Sequence, residues 1–208
     1  DRNFLGGGAA INVLATHAGA DIVVIDAGVA ADLPSHPSLR SAKIGRGTAN
    51  IAVGPAMSRE QAIQCLEMGI QVCQEQIVSG TELFACGDMG IGNTTPSSAI
   101  TSVVTGVGTD ITTGRGTGLD DAGLAHKAEV VQRSIDVNKP DSKDGLDILM
   151  KVGGFEIGVL AGVFLGAAAG RRPVIIDGFI SGAVALVAHA IAPEASYSFI
   201  ASHQSVEP

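Results

Sequence analysis

Glu82-Leu83-Phe84-Ala85-Cys86-Gly87-Asp88-Met89-Gly90-Ile91-Gly92-Asn93-Thr94-Thr95-Pro96 decides the fold. A short apolar run reads as a strand, three glycines follow in a turn, and Thr95-Pro96 reads as the N-cap and first residue of a helix through Ala99, Val103 and Val104. Strand, glycine turn and capped helix make half of a βαβ unit. The pattern recurs at Asp21 to Asp26 and at Val174 to Asp177, the latter followed by Gly178 and a helix from Ile180 to Ile191. Tyr197 to Ala201 is a last strand.

Upstream, Ser58-Arg59-Glu60-Gln61 is a capping box. Behind it Ala62, Cys65, Leu66, Ile70, Cys73 and Ile77 keep helical spacing, and Gly80 ends the run. Helices over Phe4 to His17, Asp120 to Val137, Asp144 to Val152 and Ile157 to Ala169 fill the remaining intervals, with loops at Pro34 to Pro37 and Asn138 to Asp141. Alternating strands and helices predict an α/β fold: a doubly wound, mostly parallel sheet with helices on both faces, in one domain over 1–208. A helix starts almost at Asp1, and Pro208 follows closely on a strand, so the chain reads as part of a longer protein.

Composition narrows the function. The 208 residues carry 13 Lys and Arg against 21 Asp and Glu, a net charge of −8, without a basic run. With six Phe, one Tyr and no Trp, neither a phosphate-backbone surface nor a base-stacking platform is available, so no nucleic acid is expected. The longest uncharged runs, Ile157 to Gly170 and Gly178 to Pro193, fall short of the roughly 20 residues of a membrane span. Cys65, Cys73 and Cys86 are odd in number and lack CxxC spacing; they read as buried thiols of a reducing, cytoplasmic compartment. Glycine, at 28 residues, points to backbone-lined turns in an enzyme.

In open α/β sheets ligands bind outside the carboxyl ends of the strands. Three strands end in an acid near glycine, at Asp26, Asp88 and Asp177, and on one sheet edge these would converge on one crevice. Gly87 to Thr95 has glycines that let amides approach a ligand, side chains on Asn93, Thr94 and Thr95, and a helix N-terminus behind them. Phosphate or phosphoribosyl binding and a plain structural turn both fit it. Gly114-Arg115-Gly116-Thr117-Gly118, followed by a helix bearing Lys127, is a second anion-holding stretch. A third, Gly45 to Asn50 before Gly54 to Ser58, fits a loop and a phosphate cradle equally. Of the five histidines only His203, beside Ser202 and Ser205, stands at a strand end. There is no Gly-Lys-Ser/Thr, no strand leading into G-x-G-x-x-G, no G-x-S-x-G and no metal-ligand spacing.

Taken in order, Gly45-Arg46-Gly47-Thr48-Ala49-Asn50-Ile51, Gly54-Pro55-Ala56-Met57-Ser58, Gly87 to Pro96, Lys151-Val152-Gly153-Gly154-Phe155 and Asp177-Gly178-Phe179 resemble the nicotinate-nucleotide:dimethylbenzimidazole phosphoribosyltransferase family of cobalamin biosynthesis. The resemblance runs the length of the chain. It implies a Rossmann-like, homodimeric enzyme, without metal or cofactor, that moves phosphoribose from nicotinate mononucleotide to dimethylbenzimidazole, giving α-ribazole phosphate and nicotinate. It implies that Asp88 stands beside the ribose as electrostatic support, and that Gly90, Gly92, Asn93, Thr94 and Thr95 surround the nucleotide. Lys127 with Gly114, Gly116 and Gly118 would hold the phosphate, with Asp177 and Ser202 also in the substrate site. The family's general base is a Glu in a Gly-Glu-Gly-Ser-Gly segment beyond Pro208, and a small helical domain comes from segments outside both ends. Two alternatives stay open: a non-catalytic nucleotide-binding subunit or fragment, and a related transferase with a phenolic or other benzimidazole acceptor.

Overall fold

The structure, a computed structural model, describes residues 2–116 and 118–203. Thr117 of the second glycine stretch and Ser205 of the carboxyl-terminal motif lie outside the described residues. The chain forms two compact units, Asp1–Gly47 and Thr48–Pro208.

In the first unit the helix expected over Phe4 to His17 is two helices, α1 (Arg2–Leu5) and α2 (Ala10–Ala18). Gly6, Gly7 and Gly8 interrupt it, because glycine loses the most backbone freedom in a helix and Gly7 takes φ +74°. β1 (Val24–Asp26) pairs in parallel with β2 (Leu39–Ser41), in register Val24 to Leu39 and Asp26 to Ser41. β2 is a strand that the sequence pattern did not disclose. Asp26 is 3% exposed; its carboxylate accepts from the Val29 amide at 2.9 Å and pairs with Lys43 Nζ at 3.0 Å. It is a turn cap and ion pair in a two-stranded sheet separate from the sheet of the other two acids. The expected convergence of three acids on one sheet edge is therefore corrected to two.

In the second unit, α3 (Arg59–Val78) starts with the expected capping box: Ser58 Oγ accepts from the Gln61 amide at 3.2 Å, and Gln61 Oε1 from the Ser58 amide at 3.0 Å. Then follow β3 (Phe84–Cys86), α4 (Thr94–Thr105), α5 (Thr109–Thr112), α6 (Asp121–Asn138) and α7 (Gly145–Val152). α8 (Phe155–Ala169), β4 (Val174–Ile176), α9 (Phe179–Ile191), a 3-10 turn (Pro193–Ser198) and β5 (Phe199–Ala201) complete it. Tyr197, expected in the last strand, lies in the 3-10 turn that Pro193 opens and is 95% exposed. The sheet runs β3-β4-β5, all parallel, with Cys86 beside Ile176 and Ile176 beside Ala201. Parallel strands alternating with helices are the α/β class read from the sequence.

The core of this unit is α3 against α8. α8 is apolar on every face except at Glu156, and Gly158, Gly162 and Gly166 recur at four-residue spacing against Cys65, Gly69 and Cys73 of α3. A methyl group on Gly69 would fall on the Val159 carbonyl, and one on Gly162 on the Leu66 carbonyl. The two backbones touch, so any larger residue at either position must drive the helices apart. All three cysteines are buried thiols. Burial pushes Cys65 up to about 12 and Cys86 up to about 12, with Cys73 up to about 11.

The stretch read equally as loop or cradle is tied down by hydrogen bonds on both sides of Gly47. Arg46 donates to the Ala30 carbonyl and pairs with Asp32, while Ala49 bonds Ala56, Ala56 bonds Lys151 and Met57 bonds Met150 through the backbone.

Candidate active site

β3 delivers the chain into Gly87 and Asp88 at the carboxyl edge of the sheet. Asp88 Oδ1 accepts from the Gly90 amide at 2.6 Å and from Asn93 Nδ2 at 2.9 Å, which folds the turn over its own acid. Gly90 (φ +68°) and Gly92 (φ +77°) supply the left-handed conformations that this tight return needs. α4 then begins at Thr94, two residues before the expected start, with Asn93 at the cap and no side-chain cap bond. Thr95 and Pro96 are thus the second and third helical residues rather than N-cap and first. A proline there removes nothing, because first-turn amides have no partner within the helix. Asn93 is 3% exposed, and its Oδ1, like Ser97 Oγ four residues on and Thr113 Oγ1, has no hydrogen-bond partner among the described residues.

α6 carries the cation. Asp120 caps it by accepting the Gly123 amide at 2.8 Å, which places Lys127 two turns in. Lys127 Nζ donates to the Gly114 carbonyl at 2.9 Å and to Thr94 Oγ1 at 3.1 Å. Gly116, at φ +56°, comes so close that a Cβ would stand 3.6 Å from Lys127 Nζ and 3.7 Å from Thr94 Oγ1. Lysine, both glycine turns and the α4 N-terminus therefore meet at one place. Gly118 adopts φ +102° as the loop leaves toward α6. Arg115 is turned away, bonded to the Leu119 carbonyl and paired with Asp121.

The other strand ends complete the edge. Because Cys86, Ile176 and Ala201 are in register, Gly87, Asp177 and Ser202 follow side by side, with neighbouring strands about 4.8 Å apart. Asp177 is exposed; its amide donates to Ser181 Oγ at 2.9 Å, and its carboxylate lies 3.9 Å from His203 Nδ1. The same Nδ1 is 2.8 Å from Ser202 Oγ. Serine and aspartate thus share one ring nitrogen, which is not the relay of a hydrolase, where they flank the ring on opposite nitrogens.

Glu156 escaped the sequence reading, which stopped at Phe155. It is half-buried at the second position of α8. Burial pushes its carboxyl up, and the Asp88 charge adds to this, against a hydrogen bond from the backbone that holds it down. A lone charge heading an otherwise apolar helix was the available signal. Among the described residues no group of three or more His, Cys, Asp or Glu is placed to hold a metal ion, and no helix is long and apolar enough to cross a membrane.

The arrangement is bipolar. One end offers an ammonium, amides and a helix N-terminus to an anion; the other offers carboxyls to hydroxyl groups or developing positive charge.

Known proteins share this framework. The chain is 58% identical over 205 residues to nicotinate-nucleotide--dimethylbenzimidazole phosphoribosyltransferase of Roseiflexus sp. (strain RS-1), covering 99% of this chain and 58% of that protein. It is 50% identical over 207 residues to the protein of the same name from Dehalococcoides mccartyi (strain BAV1), covering 59% of it. The chain thus spans a little under three-fifths of the length of these curated relatives. The crystal structure of CobT from Thermus thermophilus superposes with a TM-score of 0.93 at 40% identity, covering 99% of this chain and 62% of that one. The family model described as Phosphoribosyltransferase matches residues 1–208. By sequence and by fold, the chain belongs to this phosphoribosyltransferase family.

Proposed function

We propose that this chain supplies the donor site of an enzyme that transfers phosphoribose from nicotinate mononucleotide to dimethylbenzimidazole, giving α-ribazole phosphate and nicotinate. The observation that carries the reading is the contact of Lys127 with Thr94 and Gly114, one residue along from the Asn93 that bonds Asp88. The relatives at 50–58% identity bear the name of this activity.

The donor phosphate lies against Lys127, the Gly114 to Gly118 turn and the α4 N-terminus, which together offer a cation and free amides. The ribose then extends along Gly90, Gly92, Asn93 and Thr95 toward Asp88, Asp177 and Ser202. Cleavage of the bond to nicotinate leaves positive charge on the ribose, and Asp88 stabilises it electrostatically. The acceptor imidazole gives its proton to a carboxylate base, a step worth about 10²–10⁴-fold. In this reading the base is the family's Glu in a Gly-Glu-Gly-Ser-Gly segment carboxyl-terminal to residue 208. That segment belongs to a small helical domain, and the whole works as a cytoplasmic homodimer.

The test is a calorimetric titration of the 208-residue chain with nicotinate mononucleotide, beside an α-ribazole phosphate assay on it and on a form extended through the base segment. Donor binding by both, with transfer at least about 10²-fold faster in the longer form, is expected. No donor binding by either would overturn the assignment of the site.

A further inference from the structure

His203 stands at the carboxyl edge of the sheet, two residues past the end of β5, and has no task in the transfer described above. The Ser202 amide donates to the Ile176 carbonyl at 3.0 Å, which carries the β4–β5 ladder one residue beyond β5 and pins Ser202 beside Asp177. A serine held only by its backbone has a hydroxyl free to rotate, offering its proton or its lone pairs by turns. Here the hydroxyl has a partner, because Ser202 Oγ is 2.8 Å from His203 Nδ1. The Asp177 carboxylate, 3.9 Å from the same nitrogen, is outside hydrogen-bond range. The backbone of Asp177 is held separately, its amide donating to Ser181 Oγ at 2.9 Å.

We propose that His203 is a positioning residue of this site: its Nδ1 accepts the Ser202 hydroxyl proton and so fixes the Ser202 oxygen as an acceptor for a ribose hydroxyl. The inference rests on the ribonucleotide reading given above, in which Ser202 and Asp177 line the substrate site. The direction of the bond follows from the two distances. An Nδ1 that carried a proton would turn to the carboxylate, which is the stronger acceptor. The ring has turned to the hydroxyl instead, so Nδ1 accepts, Ser202 donates, and the imidazole proton is on Nε2. Two neighbouring strand ends then carry acceptors, the Asp177 carboxylate after β4 and the Ser202 oxygen after β5. A ribose offers hydroxyl donors to both. Without the imidazole the serine hydroxyl has no fixed direction, and part of the interaction with ligand is lost in orienting it.

The experiment measures nicotinate mononucleotide binding by calorimetry on the 208-residue chain, on Ser202→Ala, His203→Ala and His203→Asn, and on the double variant with both alanines. Ser202→Ala and His203→Ala should each bind about threefold to tenfold more weakly, the range of one neutral hydrogen bond. Because the ring acts through the hydroxyl, the double variant should be no weaker than Ser202→Ala alone. His203→Asn, whose amide oxygen can stand where Nδ1 stands, should bind within about twofold of the parent. NMR of the ring nitrogens at about pH 8 should show the His203 proton on Nε2. Losses that multiply in the double variant, an asparagine as impaired as alanine, or a proton on Nδ1 would each overturn the inference while the donor site around Lys127 stands. So would a Ser202→Ala or His203→Ala chain that binds like the parent. A parent that binds no donor overturns the site and the inference together.

Discussion

The ammonium of Lys127 lies 3.1 Å from the hydroxyl of Thr94, the first residue of α4. Two segments 33 residues apart in sequence are tied at the point where one helix begins and another offers its cation.

Removing the cation tests what the tie is for. Lys127→Ala should raise KM for nicotinate mononucleotide at least about tenfold, in line with the roughly 1.5–3 kcal/mol of a charge-assisted hydrogen bond. The measurement is steady-state kinetics on the enzyme that includes the acceptor-side segment. An unchanged KM would leave Lys127 as a clip between Thr94 and the Gly114 turn and nothing more.

Asp88 holds its turn through hydrogen bonds, and one substitution separates that duty from the proposed electrostatic one. Asp88→Asn keeps an Oδ1 to accept from Gly90 and Asn93, so the turn and the melting temperature should hold. The anion facing the developing ribose charge is lost, so kcat should fall by more than donor affinity does. A kcat within about twofold of the parent would show that Asp88 serves the turn alone.

The α3–α8 contact predicts a stability effect far from any ligand. Gly162→Ala puts a methyl group on the Leu66 carbonyl, and overpacking of this kind costs about 1–3 kcal/mol. For a chain of this size the melting temperature should drop by roughly 2–10 °C. Gly182→Ala, on α9 with open space around it, is the control that should leave the melt in place or raise it slightly.

The thiols give stability a dependence on alkaline pH. Folding raises Cys65, Cys73 and Cys86 from 9.0 to about 12, 11 and 12. Above pH 9 the unfolded chain therefore releases thiol protons that the folded chain keeps. The stability tied to these protons is complete below pH 9 and is lost as pH climbs toward the folded values. Guanidinium unfolding under reductant should show a midpoint that is lower at pH 10 than at pH 8, and replacing the three cysteines with alanine should flatten the difference. A midpoint insensitive to the replacement would mean that other groups carry the alkaline loss.

Ser58 with Gln61 was legible because a cap is local: four consecutive residues contain both partners. The apolar runs before Asp88 and Asp177 were legible because parallel strands bury both faces. Asp26 misled for a related reason. Its run looks like theirs, but sheet membership is decided by Leu39 to Ser41, three residues without a strand pattern. Pro96 suggested a helix start at its own position, although proline is tolerated throughout the first turn. Glu156 was overlooked because its state depends on Asp88, 68 residues earlier, and on burial that only the packed α8 provides.

Gly162 stands six residues along α8 from Glu156, about 9 Å on the helix rise. A helix moves largely as a rod, so the distance of closest approach that Gly69 and Gly162 permit also governs how far the Glu156 end stands from α3. The two glycines act as a spacer gauge for a carboxyl they never touch. A methyl group on this seam would shift the head of α8 while every residue at the head itself keeps its identity.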